Sequence, residues 1–247
     1  EAGLRSRDFT MPEEINRLLT DQISDLLFTT SIDANENLRA EGIPKEKIFF
    51  VGNVMIDTLL RHRNKAKKSG ILKLLGLAQK PYAVLTMHRP SNVDSKKPME
   101  RIVKSLLTIG KAIPIVFPAH PRTMKMLGTF GMEKRFRRSG ITLLPPLGYL
   151  DFLALMSGST FVLTDSGGIQ EETTVLGIPC LTLRNNTERP VTVTEGTNTV
   201  VGTDPARIVR EARRILSGRG KSGRIPRLWD GKAALRIVRI LKRYFAQ

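Results

Sequence analysis

The stretch "TFVLTDSGGIQEETTVLGIPCL", residues 160 to 181, decides how this chain folds. It opens on a short apolar run bounded by a polar residue, the pattern of a buried strand. "GIQEETTVLG" then reads as a helix, closed by Gly177 in the helix-terminating position. A second apolar run, "PCLTLR", follows at once. Strand, helix and strand in immediate succession, with continuous apolar strands, form the repeating unit of a parallel sheet.

Outward from this unit the same alternation continues. "LLFTT", "KIFFVGN", "YAVLTM", "PIVFPA" and "ITLLP" are further short apolar runs. Amphipathic stretches separate them, such as "PMERIVKSLLTIGKAI", where Ile102, Leu106 and Ile109 recur at helical spacing. The expectation is an α/β chain with a doubly wound parallel sheet, most regular from Tyr82 to Leu183, and without internal repeats. The basic stretch from Arg61 to Lys80 reads as a connector. The first sixty residues hold two strand-like runs with helices around them, too little for a full sheet. "GKAALRIVRILKRYF" at the C-terminus is an amphipathic helix whose stripe of Leu235, Val238 and Leu241 is expected to pack on a neighbouring layer.

Composition narrows the function classes. The chain has 247 residues, 40% of them hydrophobic, enough for a core. No apolar run approaches the ~18 residues of a membrane span, and no signal-peptide pattern opens the sequence. The single cysteine, Cys180, reads as a buried strand residue and excludes a disulfide framework, so a cytoplasmic setting is expected. Forty Lys and Arg against 23 Asp and Glu give a net charge of +17, which favours anionic partners. The basic residues do not alternate with aromatics, and no helix-turn-helix, zinc-finger or RNP signature accompanies them. A nucleic-acid-binding module is therefore the weaker alternative to a site for a phosphorylated small molecule.

The turn at Ser166, Gly167 and Gly168 has the chemistry for such a ligand. The first amides of a helix are unpaired and the helix dipole adds partial positive charge there. Glycines let a phosphate approach the backbone, and the serine hydroxyl can donate a further bond. No Walker lysine is present, so ATP hydrolysis is not indicated. Glu171 and Glu172 admit two readings: compensation of the helix dipole, or a carboxylate accepting bonds from sugar hydroxyls. A nucleoside diphosphate satisfies both the turn and the acid. Two of three histidines, His88 and His120, directly follow apolar strands, where a parallel sheet places its ligand crevice. Arg89 and Arg122 accompany them, whereas His62 lies in a charged helical stretch. Neither crevice histidine has metal-type spacing, and no metal or cofactor is expected.

Several segments in order then carry a resemblance: "EAGLRS" at 1 to 6, "MPEEINR" at 11 to 17, "VGNVMID" at 51 to 57, "MHRPSNVD" at 87 to 94, "FPAHPRT" at 117 to 123, "DSGGIQEE" at 165 to 172 and "TERP" at 187 to 190. Together they closely resemble the non-hydrolysing UDP-N-acetylglucosamine 2-epimerases. The resemblance implies the two-domain GT-B fold, divided here into residues 1–57 as the C-terminal part of a first Rossmann-like domain, 58–228 as the UDP-binding Rossmann-like domain, and 229–247 as a helix packing back toward the first. It implies interconversion of UDP-N-acetylglucosamine and UDP-N-acetylmannosamine in the cytoplasm by a homodimer, through elimination of UDP to a glycal and re-addition.

By motif, the resemblance implies that Glu1 and Glu13 are catalytic carboxylates and His88 an active-site histidine. Ser166, Gly167 and Gly168 would hold the phosphates and Glu172 the ribose. Phe152 would pack on uracil with backbone near Leu147, Arg189 would stand on the phosphate side, and His120 would line the cleft. Against the family's pattern, most of the N-terminal domain is missing, so the lone chain is expected to bind UDP weakly and not to epimerise by itself. A GT-B glycosyltransferase is the main rival, although "MPEEINR" and "HRP" have no reason to occur together in one.

Overall fold

The computed structural model describes residues 1–137 and 139–246. Its first part comprises α1 (Pro12–Ile23), β1 (Leu27–Thr29), α2 (Ile32–Ala40), β2 (Ile48–Phe50), α3 (Val54–Ala66) and α4 (Ile71–Leu74). Then come β3 (Ala83–Thr86), α5 (Pro90–Val93), α6 (Lys96–Ile109), β4 (Ile115–Pro118), α7 (Pro121–Thr129), α8 (Glu133–Arg137) and β5 (Ile141–Leu144). The rest is α9 (Tyr149–Ser157), β6 (Phe161–Thr164), α10 (Gly167–Leu176), β7 (Cys180–Thr182), α11 (Pro190–Thr194), β8 (Asn198–Val200), α12 (Pro205–Leu216) and α13 (Ala233–Tyr244).

Six strands form one sheet in the order β5-β4-β3-β6-β7-β8, every pair parallel. The chain winds one way from β3 to β5 and the other from β6 to β8. The reversal falls between β3 and β6, whose register pairs Leu85 with Leu163 and Thr86 with Thr164. Loops leaving the carboxyl ends of two such strands part toward opposite faces and open a crevice. Strand side chains alternate between the faces. Leu85, Leu163 and Leu181 pack with Ile102 and Leu106 of α6 and Ile208 of α12. On the other face, Val84, Val116 and Val162 pack with Ile56 and Leu59 of α3 and with Leu153 and Leu155 of α9. β1 and β2 make a separate parallel pair over a small core of Leu27, Leu38 and Ile43.

Each expected strand is present, with one addition and two corrections. β8, from "TNTVV", escapes the apolar-run criterion because it pairs only with β7 and carries Asn198 and Thr199. The segment from Arg61 to Lys80 is not a plain connector, since α3 continues to Ala66 and α4 follows. α13 departs furthest from expectation. Its stripe faces outward, with Leu235 59% and Val238 48% exposed, and Ala233 is its buried residue. The helix is secured at its end instead: the Ala233 and Ala234 amides donate to the Asp57 carboxylate of α3. That carboxylate satisfies free helix amides and opposes the positive dipole end.

Candidate functional site

The crevice at the strand reversal begins with α10. Ser166 is its N-cap, and its hydroxyl makes no capping bond. The two glycines serve different ends. A Cβ on Gly168 would meet nothing within 4 Å, so its backbone faces open space. A Cβ on Gly167 would stand 2.4 Å from Arg189 Nη1 and 2.7 Å from Glu188 Oε1, so this glycine makes room for an arginine. Gly177 ends the helix in the left-handed region at φ 72°.

Glu171 and Glu172 lie in the second turn of α10, beyond the first-turn amides, and both are buried. Dipole compensation therefore does not explain them. Glu171 Oε1 lies 2.9 Å from Arg189 Nε. Glu172 Oε1 accepts from the Tyr149 hydroxyl at 3.0 Å. Burial pushes the Glu172 carboxyl up to about 7, with the Tyr149 bond opposing and the Glu171 charge assisting. Leu147 and Phe152, flanking the start of α9, are half-buried and pack against the core beside Ile169 of α10.

His88 follows β3 and is oriented by a residue the sequence reading quoted but did not single out. Asp165, wholly buried, accepts from the amides of His88 and Arg89 and from Asn92 Nδ2 at 2.9–3.1 Å. His88 Nδ1 lies 3.2 Å from Asp165 Oδ1, so a proton on that nitrogen has an acceptor and Nε2 is left for a ligand. An acid between a buried strand and a glycine turn was the available signal. The His120 ring stands 6.5 Å from that of His88, and His120 caps α7 by accepting from the Arg122 amide. Arg122 itself turns away and pairs with Asp94, so of the two arginines expected at the strand ends only Arg89 joins the cluster.

The carboxylates from the first segment reach this cluster through ion pairs. Arg89 Nη1 donates to Glu13 Oε1 at 2.7 Å, and Arg89 Nη2 lies 3.7 Å from Glu188 Oε1. Arg189 Nη1 donates to the same Glu188 oxygen at 2.6 Å, while Nη2 donates to Glu1 Oε1 at 2.6 Å. Arg17 approaches Glu1 Oε2 at 3.2 Å. Burial pushes the Glu1 carboxyl up, but Arg189 and Arg17 together bring it below its ordinary value. Arg189 thus stands beside the turn at Gly167 with its guanidinium on Glu1, Glu171 and Glu188. Three acids around one buried cation were not legible from "TERP".

A doubly wound parallel sheet with a polar crevice at its reversal, faced by carboxylates from the segment that leads into a second parallel pair, defines the GT-B-like class of α/β proteins. A sequence profile described as UDP-N-acetylglucosamine 2-epimerase matches residues 1–242. The chain is 42% identical over 247 residues to the UDP-N-acetylglucosamine 2-epimerase of Methanocaldococcus jannaschii, covering 98% of this chain and 67% of that protein. A crystal structure of the enzyme from that organism, in complex with UDP-GlcNAc and UDP, matches with a TM-score of 0.91 at 42% identity over 98% of this chain and 68% of the other. The Neisseria meningitidis enzyme bound to UDP-GlcNAc matches with a TM-score of 0.84 at 32% identity, again over 98% of this chain and 68% of the other. The chain belongs to the UDP-N-acetylglucosamine 2-epimerase family, a family of isomerases, and spans about two thirds of the length of these curated relatives.

Proposed function

We propose that the crevice binds the UDP of UDP-N-acetylglucosamine and that the groups around it serve inversion at C2 to UDP-N-acetylmannosamine. The free amides at the start of α10, opposite the open face of Gly168, receive the diphosphate. Glu172 takes the ribose, and Phe152 packs on uracil beside Leu147. The C2 proton has no adjacent carbonyl to acidify it. Breakage of the C1–O bond, with its electrons leaving on UDP, makes C1 oxocarbenium-like and acidifies C2. Loss of that proton to a carboxylate leaves a C1=C2 glycal. Proton return on the opposite face and re-addition of UDP complete the inversion.

That sequence requires groups that stabilise the leaving diphosphate and acid–base groups on two faces of the sugar. His88, braced by Asp165, is assigned to the leaving group, with His120 lining the cleft. Glu1 and Glu13 are assigned the proton transfers, Glu1 being kept anionic by its arginines. Arg189 acts on the phosphate side by holding Glu1 and the turn together. The observation that supports this most is the run of ion pairs Glu13–Arg89–Glu188–Arg189–Glu1, which brings both carboxylates to the edge carrying Ser166 and His88. The same reading divides the chain near residues 57 and 228 and places the protein in the cytoplasm as a homodimer.

Titration calorimetry with UDP tests the binding half: saturable heat is expected, and Glu172→Ala is expected to weaken it at least tenfold. A flat trace with the unaltered chain overturns the assignment. NMR of UDP-N-acetylglucosamine without an acceptor separates the chemistries. A C2 isomer appearing supports the epimerase, sugar transfer only upon adding an acceptor supports a glycosyltransferase, and neither product is the outcome expected of this chain assayed alone.

A further inference from the structure

Glu1 and Glu13, both half-exposed, are joined by three largely buried charges of alternating sign. Arg89 gives Nη1 to Glu13 Oε1 at 2.7 Å and turns Nη2 toward Glu188 Oε1, 3.7 Å away. Arg189 gives Nη1 to that same Glu188 oxygen and Nη2 to Glu1 Oε1, each at 2.6 Å. Glu171 pins its Nε at 2.9 Å, so the guanidinium keeps its place while its outer nitrogens serve different acids. Glu188 is 1% exposed, and its other oxygen lies 2.7 Å from Arg184 Nη1. Burial pushes the Glu188 carboxyl up, but Arg189 and Arg184 bring it below its ordinary value, so it stays anionic. Arg17 is the further cation on Glu1, and it is shared with Glu14. Within this series the contact of Arg89 with Glu188 is too long for a hydrogen bond, so it is the link with room to tighten.

A proton on Glu13 removes the anion that holds Arg89. Arg89 then turns to Glu188 and competes with Arg189 for Oε1. Arg189, its claim on Glu188 weakened, binds Glu1 more firmly and favours the ionised form of that acid. The same exchange runs in reverse from Glu1 to Glu13. We infer that Glu188 is a positioning residue that couples the two carboxylates, so that proton uptake by one promotes proton release by the other. The inference rests on the assignment of Glu1 and Glu13 to the proton transfers. Inversion at one carbon needs that relation. The C2–H bond breaks with its proton passing to one acid, a new C2–H bond forms with the proton of the other, and the pair ends with as many protons as it began. The middle of the series is shielded from water and salt, where charges act on one another more strongly than at the surface.

The test follows the Glu1 carboxyl by carbon NMR of the full chain, labelled at glutamate, as pH is varied; Glu1→Gln identifies its resonance. Glu13→Gln keeps the shape of that side chain and removes its charge, as a proton would. It is expected to lower the Glu1 pKa by about half a pH unit, roughly a threefold change in acidity. With Glu188→Gln also present, the same substitution is expected to move Glu1 by less than half as much. A shift of equal size with and without Glu188 would mean bare proximity of the two acids and overturn the inference, as would a rise or no change in the first comparison. A purely structural Glu188 would lower the melting temperature and leave the coupling intact, which also overturns it. Should Glu188→Gln not fold, Arg89→Gln cuts the series at its loose link, and an undiminished shift there has the same meaning. UDP calorimetry on the unaltered chain separates the two readings: coupling without heat supports the inference and sinks the nucleotide site, whereas heat without coupling does the reverse.

Discussion

Glu172 shows how one buried group can oppose stability at a site proposed to bind. Its carboxyl titrates near 7 in the folded chain against an ordinary value of 4.5, so between these pH values the folded state binds more protons than the unfolded. Stability therefore declines as pH rises from about 4.5 to 7, by about 3 kcal/mol in all if the shift is fully expressed. Glu172→Gln is expected to remove that slope and leave the variant more stable than its parent at pH 8 but not at pH 4, as read from urea midpoints. UDP affinity should move the other way. In the proposed site a ribose hydroxyl donates to the ionised acid, so binding is expected to strengthen as pH rises through 7 and to lose this dependence in the variant. The presence of an acid at this position was visible in "GIQEE"; its burial was not, because helical spacing alone does not say which neighbour covers a face.

At the scale of the element, α10 carries two adjacent glycines with opposite duties. Arg189 is clasped by three carboxylates and cannot yield to a Cβ on Gly167. Gly167→Ala is expected to lower stability by about 1–3 kcal/mol, as overpacking does. Gly168→Ala adds a methyl group in open space within a helix, where alanine is favoured by up to about 1 kcal/mol. Its melting temperature should be equal or higher, while UDP binding weakens because the methyl group stands where the phosphate approaches. Melting curves and UDP titration of both variants check the contrast; weak melting in Gly168→Ala or intact binding in it would count against the phosphate turn. The same two letters, read along the chain, looked like a single feature.

In the whole molecule, the small parallel pair and the large sheet are joined by more than the ion pairs at the crevice. Trp229, the single tryptophan, is 2% exposed, packs with the core of α3 and α9, and donates from Nε1 to the Thr30 carbonyl beyond β1 at 2.8 Å. Its fluorescence therefore reports the junction. Urea unfolding followed by tryptophan fluorescence and by far-UV circular dichroism is expected to give coincident transitions. A fluorescence change preceding the loss of helix would show that the junction opens first. The alternation of strands and helices, the glycine turn into α10 and the two histidines that follow apolar strands were all legible in the sequence, since each is written within a few neighbouring residues by side-chain period and turn chemistry. Only the tertiary structure decided that Arg189 meets Glu1 across 188 positions, that Asp165 braces His88, that Tyr149 occupies Glu172 and that the stripe of α13 faces outward. Those outcomes depend on which strand ends the sheet order makes neighbours and on which helix faces the topology leaves uncovered, and local sequence holds no record of either.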